Sequence, residues 1–153
     1  MSANFDGAIH SLGLALPAAP KPAGAYVPVV FHEKMALLSG QVSRDGAGNV
    51  FTGKVGAGLS LEKGQEAARI AALNVISVIK NLIGWERFDS LLRVTGFVQV
   101  SPDFYDISQV VNGASELFLQ VFGDRGKHAR SAVGMASLPL NAAVELEVTL
   151  KIK

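Results

Sequence analysis

The chain has 153 residues, 49% of them hydrophobic and 18% charged, and this length is typical of one domain. Its 14 basic and 13 acidic side chains give a net charge of +1, which argues against nucleic acid or an anionic membrane as a partner. The sequence contains no cysteine, and this excludes disulfides, a thiol nucleophile and thiolate metal ligands.

We interpret residues 1–24 as an N-terminal extension and linker within a single domain that spans residues 1–153. The segment 8–16 favours a short helical turn, and 17–24 (PAAPKPAG) is expected to stay extended because of its prolines. The start of the chain lacks the pattern of a signal peptide, and the apolar-rich run 67–83 is too short and too polar to span a bilayer. We therefore expect a cytoplasmic protein.

Two strands and a turn are predicted after the linker. The β-branched segment 26–31 contains Pro28, which predicts an edge strand or an irregular strand. The segment 35–42 (MALLSGQV) predicts a second strand, and 44–49 (RDGAGN) has the composition of a turn. A short return strand over 50–54 would complete a hairpin with the strand before the turn.

Two amphipathic helices are predicted from apolar residues that recur every three or four positions. The first begins at Ser60, whose hydroxyl can cap the first turn, and ends near Gly84. The second begins at Asp106 and ends at Gly123, with Asp106 and Gln109 as a capping pair.

Three further strands are predicted over 91–100, 130–138 and 144–152, and the last alternates strictly between apolar and polar residues. The resulting order, β-β-α-β-α-β-β, is that of an α+β domain with a mixed sheet. We expect both helices on one face of that sheet. No further segment has the pattern of a long helix, so a second subunit is the simplest cover for the other face.

The segment 129–147 (ARSAVGMASLPLNAAVELE) carries the clearest functional pattern. Arg130 begins a predicted strand, and small residues follow it on one strand face at Ala132, Gly134 and Ala136. Small side chains would leave room for a ligand or a close subunit, and a guanidinium at that point suits bidentate binding of a carboxylate. The alternative from the residues alone is a structural ion pair or a solvated arginine at the end of a strand.

The same segment resembles the C-terminal signature of the reactive-intermediate deaminase family (Rid, also called YjgF-type) in its Ala-Arg-Ser-Ala-Val start, its Leu-Pro pair and its Val-Glu-Leu-Glu end. Further pieces follow in the family's order: PAGAYV at 22–27, LSGQ at 38–41, the long first helix, and a second helix that contains Asn112. The resemblance covers about residues 20–152.

This resemblance implies a chorismate-mutase-like α+β fold, a mixed β-sheet with two helices packed on one face, and a homotrimer formed on the other face with clefts between subunits. It implies hydrolysis of small reactive imines or enamines, such as 2-aminoacrylate, to 2-keto acids and ammonia without a cofactor. By position, Arg130 would hold the substrate carboxylate and Glu145 would hold or activate the attacking water. The pocket would be lined by Tyr26, Ser39, Gly40 and Asn112.

The positions of Arg130 and Glu145 lead to a geometric prediction. The strands 130–138 and 144–152 are joined by a short connection and should run in opposite directions. Each of the two residues begins its strand, so we expect them at opposite ends of the sheet, separated by roughly 30 Å. A substrate that both residues contact would then lie between two subunits.

Two other functions remain open from the sequence. The apolar residues 27–30 next to the predicted pocket keep a non-catalytic trimeric protein that binds small carboxylates as an alternative. A ribonuclease ranks lower, because the basic residues are spread along the chain. The three histidines lack the spacing of metal ligands, and His128 is interpreted as a surface residue that borders the cleft at most. The glycine-rich segment 53–64 lacks the P-loop spacing and is interpreted as a flexible loop.

Overall fold

The computed structural model describes residues 4–22 and 24–153. The elements in chain order are α1 (Phe5–Ser11), β1 (Val29–His32), β2 (Met35–Val42), β3 (Lys54–Val55), β4 (Gly58–Leu59), α2 (Leu61–Val78), β5 (Phe88–Gln99), α3 (Ile107–Phe122), β6 (Ala129–Met135) and β7 (Val144–Ile152). Five strands form one mixed sheet in the order β1-β2-β7-β5-β6. Every neighbouring pair is antiparallel except β5 and β6, which run parallel. The predicted mixed α+β fold is confirmed.

Two of the predicted strands have the bounds that the structure shows. The predicted bounds 35–42 and 144–152 match β2 and β7. The strand β1 lies at one edge of the sheet and begins directly after Pro28, as expected for a residue that cannot donate to a strand ladder. The strand β6 ends at Met135, earlier than predicted, because the chain turns through a 3-10 segment that contains Leu140 at φ 59°.

The two long helices pack side by side on one face of the sheet, α2 over β2 and β7 and α3 over β5 and β6. The hydroxyl of Ser60 accepts a hydrogen bond from the Lys63 amide at 3.2 Å, so the predicted cap of α2 is confirmed. Beyond Val78 this helix widens into a π-helical turn, which ends at Gly84 with φ 89°. No helix in the described part of the chain is long and apolar enough to cross a membrane.

Three local predictions differ in detail from the structure. The return segment 50–54 pairs with the strand before the turn only at its start, where Arg44 and Val50 form an antiparallel bridge and the Phe51 amide donates to the Ser43 carbonyl at 2.7 Å. The Phe51 carbonyl accepts from the Ala143 amide, and residues 50–53 form no regular strand. The segment 53–64, interpreted as a flexible loop, instead contains the short parallel pair β3 and β4. At the start of α3, the carboxylate of Asp106 bonds the side chain of Gln109 at 3.3 Å and caps no helix amide.

The N-terminal extension is part of the folded core. The predicted helical turn is observed as α1, three residues earlier than expected. Phe5 of this helix packs edge-on against Trp85, Phe88 and Phe122, so the extension covers one end of the hydrophobic core. The following extended segment is fixed to α2, because the Ser77 hydroxyl donates to the Pro17 carbonyl at 2.6 Å. Ala23 of the predicted linker and residues 1–3 lie outside the described residues.

Candidate functional site

The six predicted site residues fall into two groups on opposite sides of the sheet. Arg130 and Asn112 lie on the face covered by the helices, and we call them, with Ser115 and His128, the arginine group. The remaining four line one cavity by the other face, and we call them the glutamate group: Tyr26, Ser39, Gly40 and Glu145.

The guanidinium of Arg130 is held by helix α3. Its Nη1 donates to Oδ1 of Asn112 at 2.9 Å and to the hydroxyl of Ser115 at 3.1 Å, and its Nη2 donates to the Ser108 carbonyl at 3.3 Å. Asn112 and Ser115 are three residues apart, so both side chains emerge from the same side of the helix. Arg130 lies beneath this side of α3. In the parallel pairing of β5 and β6, it stands opposite Val94.

The charge of Arg130 has no acidic partner among the described residues. A guanidinium has five N–H groups, and the three bonds to neutral acceptors leave two of them for another group. A structural ion pair, the alternative considered from the sequence, is therefore not what holds this residue in the described chain. A partly buried cation without a counter-ion is well suited to bind an anionic ligand.

The small residues after Arg130 serve a different purpose from the one predicted. A Cβ atom at Gly134 would approach the side chains of Ile107 and Val100 to 2.8 Å, and Ala132 packs against the hydrophobic core. These positions are small because α3 lies directly over β6. The expectation that they leave space for a ligand or a second subunit on this face is wrong for Ala132 and Gly134.

His128 is a half-buried member of the arginine group, with both ring nitrogens engaged, and not a freely exposed surface residue. Its Nδ1 lies 2.6 Å from the Gly126 carbonyl and its Nε2 lies 3.0 Å from the hydroxyl of Ser115. The ring packs edge-on against Phe118. Burial lowers the pKa of His128, and the charge of Arg130 lowers it further, although the hydrogen bond to Gly126 acts in the opposite direction. His128 lies directly before β6, and its spacing of two residues from Arg130 is the signal in the sequence, because side chains two positions apart in extended backbone point to the same side.

The glutamate group lines a cavity of about 270 Å³. Its wall is completed by the prolines of the N-terminal segment and by Arg44, Asn74 and Leu140. The hydroxyl of Ser39 donates to the Val27 carbonyl at 2.6 Å, and the Ser39 amide donates to the Pro28 carbonyl at 2.9 Å. Ser39 therefore holds the segment that carries Tyr26 against the end of β2.

Glu145 and Gly40 fit together because β2 carries a bulge. The register between β2 and β7 shifts by one residue between Leu38 and Gln41, and Gly40 lies within this irregularity. A Cβ atom at Gly40 would collide with Oε1 of Glu145, so only glycine leaves this carboxylate its position. Burial raises the pKa of Glu145, and repulsion from Glu147 raises it further.

Asn74 is a wall residue of this cavity that sequence reasoning missed. It is 5% exposed, and its Nδ2 donates to the carbonyls of Arg44 at 2.7 Å and Val42 at 3.2 Å. In the sequence it stands out as a polar residue within the apolar run of the first helix, and that position was the available signal. Its amide fixes the end of β2 and the backbone of Arg44 at the cavity.

The predicted distance between Arg130 and Glu145 is too long, although the two residues are indeed kept apart. Arg130 pairs with Val94 and Glu145 with Phe97, which places them three positions apart along the sheet and two strands apart across it. This register corresponds to about 14 Å between their Cα atoms and not to opposite ends of the sheet. Their side chains leave opposite faces, and this arrangement separates them within one chain.

The rest of the described chain offers weaker candidates. A second cavity of about 380 Å³ lies between α1, Trp85 and the C-terminal residue Lys153, and it contains none of the predicted site residues. No group of three or more histidine, aspartate or glutamate side chains in the described ranges is arranged to hold a metal ion.

Comparison with known proteins gives the family. A family model described as "YjgF/chorismate mutase-like, putative endoribonuclease" matches residues 6–150. The chain belongs to this family. The resemblance to Rid proteins seen in the sequence is thereby confirmed.

Individual known proteins resemble the chain over almost its whole length. Protein TCP17 of Trypanosoma cruzi is 42% identical over 146 residues, 94% of this chain and 91% of that protein. A 2-iminobutanoate/2-iminopropanoate deaminase of Dermatophagoides farinae is 30% identical over 140 residues, 92% of this chain and 95% of that protein. The crystal structure of the Agrobacterium tumefaciens protein Atu1372, whose function is unknown, superposes with a TM-score of 0.87 at 36% identity, covering 97% of this chain and 94% of that one.

Proposed function

We propose that this protein is a cofactor-independent hydrolytic deaminase of small reactive imines and enamines that carry a carboxylate, of the 2-aminoacrylate type. The products are a 2-keto acid and ammonia. The proposed site is a cleft of a homotrimer, in which the arginine group of one subunit faces the glutamate group of its neighbour. The observation that carries the proposal is the unpaired charge of Arg130, held in place by three neutral acceptors.

The arginine group supports the substrate class. The two N–H groups left over on the guanidinium suit the two oxygens of a carboxylate. Asn112 and Ser115 occupy Nη1 and so fix the plane of the guanidinium before a ligand arrives. A fixed donor pair orients the substrate without a further loss of side-chain freedom on binding.

The glutamate group supports the reaction. A protonated imine is electrophilic at carbon, so hydrolysis requires an oriented water and a group that takes its proton. The oxygen of water forms a bond to the imine carbon while one of its protons passes to the Glu145 carboxylate, which returns that proton to the nitrogen of the carbinolamine. The carbon–nitrogen bond then breaks and ammonia leaves, while the proton of the new hydroxyl passes to Glu145 and the carbonyl of the keto acid remains. The raised pKa of Glu145 suits a group that must both accept and return a proton near neutral pH.

The outer face of the sheet supports the homotrimer. Apolar side chains remain exposed there on three strands, among them Leu37 at 45%, Leu92 at 39% and Val133 at 40%. Each alternates in its strand with a residue that faces the helices, so all three lie on the uncovered face. A second subunit on this face would bury them and would bring its own groups to the cleft.

A binding protein without turnover is the second candidate. The cavity of the glutamate group has an apolar wall formed by Pro20, Pro22 and Pro28, and the hydroxyl of Ser39 is already engaged by the Val27 carbonyl. Such a wall suits the apolar part of a small carboxylate as well as it suits a reacting imine.

The test is the release of ammonia and keto acid from 2-aminoacrylate that a dehydratase generates in situ. We expect wild-type protein to accelerate the decay of the imine signal and Arg130→Ala to leave it at the spontaneous rate. No acceleration by a wild-type trimer would contradict the deaminase proposal. Saturable binding of 2-oxobutanoate by that same inactive protein would then favour the binding protein.

A further inference from the structure

The hydrogen bonds behind Arg130 form a chain with a defined direction. A carbonyl can only accept, so the Gly126 carbonyl 2.6 Å away requires that Nδ1 of His128 carries a proton. The neutral imidazole then has a lone pair at Nε2, and the Ser115 hydroxyl donates to it at 3.0 Å. The serine oxygen is left as the acceptor for Nη1 of Arg130 at 3.1 Å.

We propose that His128 is a positioning residue for Arg130 and that it acts through Ser115: the neutral imidazole turns the serine oxygen toward the guanidinium, and protonation of the imidazole ends this hold. The inference rests on the proposed function, because it assigns a proton-dependent control to the same carboxylate site. It gives His128 a role that does not require contact with the substrate.

Protonation of His128 would reverse the direction of the hydrogen bond between its Nε2 and the hydroxyl of Ser115. The imidazolium presents an N–H at both ring nitrogens, so the oxygen of Ser115 would face two cationic donors and its own proton would lose its acceptor. The guanidinium would then lose one of its three acceptors and would be held only by Asn112 and the Ser108 carbonyl, so its orientation would be less fixed. The imidazolium would also attract a bound carboxylate, but from behind the guanidinium, where the longer distance reduces this attraction.

Among the described residues, Arg130 is the charged side chain that shifts the pKa of His128. The charged groups on the surrounding elements are Asp124, Arg125 and Lys127 of its own loop, Glu116 of α3, Arg93 of β5 and Arg130. Asp124 and Lys127 pair with each other at 2.7 Å, and Arg93 donates to the Ser131 hydroxyl at 2.8 Å. The ring itself is covered by Phe118.

The first experiment measures the dissociation constant of 2-oxobutanoate between pH 5 and pH 8. In wild type we expect binding to weaken about tenfold as pH falls through the pKa of His128, which burial holds below its ordinary value. Ser115→Ala and His128→Leu should bind about tenfold more weakly at pH 8 and lose this dependence. His128→Gln keeps an acceptor for Ser115 and cannot be protonated, so it should bind like wild type at pH 8 and remain tight at pH 5. His10→Gln, which changes an exposed histidine of α1, is the matched control and should follow wild type.

The difference in the pH dependence of binding between wild type and His128→Gln isolates the contribution of His128, because Glu145 titrates in both proteins. Wild-type affinity in Ser115→Ala and His128→Leu, or persistence of the acidic weakening in His128→Gln, would overturn the inference. The KM of the deaminase reaction should follow the dissociation constant, with kcat changed far less, since the chain acts on carboxylate binding.

A second measurement keeps the inference testable if the proposed function fails and 2-oxobutanoate does not bind. The imidazole of His128 is titrated by nuclear magnetic resonance in the free protein. Arg130→Gln removes a neighbouring cation and Ser115→Ala removes the donor to the neutral ring, so both should raise the pKa of His128. The nitrogen shifts of wild type should identify the Nδ1–H form. An unchanged pKa in both variants would overturn the inference regardless of any activity.

Discussion

Arg130 and Glu145 are the two charged residues expected to act on one substrate, and the fold treats them in opposite ways. The guanidinium is surrounded by hydrogen-bond partners from its own chain, which fix its plane and leave its charge uncompensated. The carboxylate lies in a cavity where burial and a second glutamate disfavour its charge. One group is thus prepared for an anion, and the other is prepared to take up a proton. The sheet between them keeps the two groups apart within one chain.

The largest expected effect is at the arginine group. Replacement of Arg130 by alanine should lower kcat/KM about 1,000-fold, because removing the charged partner of a carboxylate costs about 4 kcal/mol. The control Arg69→Ala removes an arginine that also bonds α3, through Gln120 at 3.3 Å, and should leave kcat/KM within about twofold. Equal losses in both variants, measured by keto acid release, would mean that the effect is structural.

The next effect is at the glutamate group. Glu145→Gln should lower kcat about 100-fold by removing the proton acceptor. The raised pKa of Glu145 means that wild-type activity should fall as pH drops through a value above the usual 4.5. Glu147→Gln is the control, and it should keep its activity with the acidic limb moved to lower pH, since repulsion from Glu147 raises that pKa. Wild-type kinetics in Glu145→Gln would remove this residue from the mechanism.

Substitutions at two glycines should distinguish an effect on the candidate site from an effect on the stability of the fold. Gly40→Ala should displace the Glu145 carboxylate and lower kcat about tenfold, with the free energy of unfolding changed by less than about 0.5 kcal/mol, because a flexible side chain can move away. Gly113→Ala brings a Cβ atom against the main-chain carbonyl of Gln65, and should destabilise the protein by about 2 kcal/mol. Urea unfolding and initial rates on both variants check the contrast, which fails if Gly40→Ala loses stability like Gly113→Ala.

The smallest expected effect is on the free energy of unfolding, in the variant Glu145→Gln. A carboxyl group whose pKa is raised by folding costs stability above that pKa and costs nothing where it is protonated in both states. Glu145→Gln should therefore be slightly more stable than wild type at pH 8, by less than about 1 kcal/mol because the group is half exposed, and equally stable below pH 4. Thermal unfolding at both pH values measures this. A loss of stability at pH 8 would indicate that the ionised carboxylate has a stabilising partner.

The sequence was sufficient for features that repeat along the chain. The bounds of β7 follow from strict alternation of apolar and polar residues, and the cap at Ser60 follows from one hydroxyl at the start of a periodic segment. The return segment after the turn pairs with the preceding strand only at its start, because the next partner of Phe51, Ala143, lies about 90 residues away, and no local pattern records such a pairing.

The residues of the candidate site were proposed from family-like motifs, but their arrangement could not be derived from the sequence. Arg130 and Glu145 belong to the two ends of the segment 129–147, while the faces on which they lie depend on strand register, which shifts at the bulge beside Gly40. The role of Ser115 and His128 depends on contacts between α3 and the segment before β6. Ala132 and Gly134 were misinterpreted because a small residue predicts close packing without saying what packs there.

The most direct test of the central claim is complementation between two inactive variants. Arg130→Ala and Glu145→Gln subunits are unfolded together, refolded as a mixture and assayed for keto acid release. If each site takes its arginine from one subunit and its glutamate from the next, random mixing should restore about a quarter of the wild-type rate, because one in four interfaces carries both intact groups. Activity no higher than that of the separately refolded variants, in assemblies shown to be mixed, would contradict a site shared between subunits.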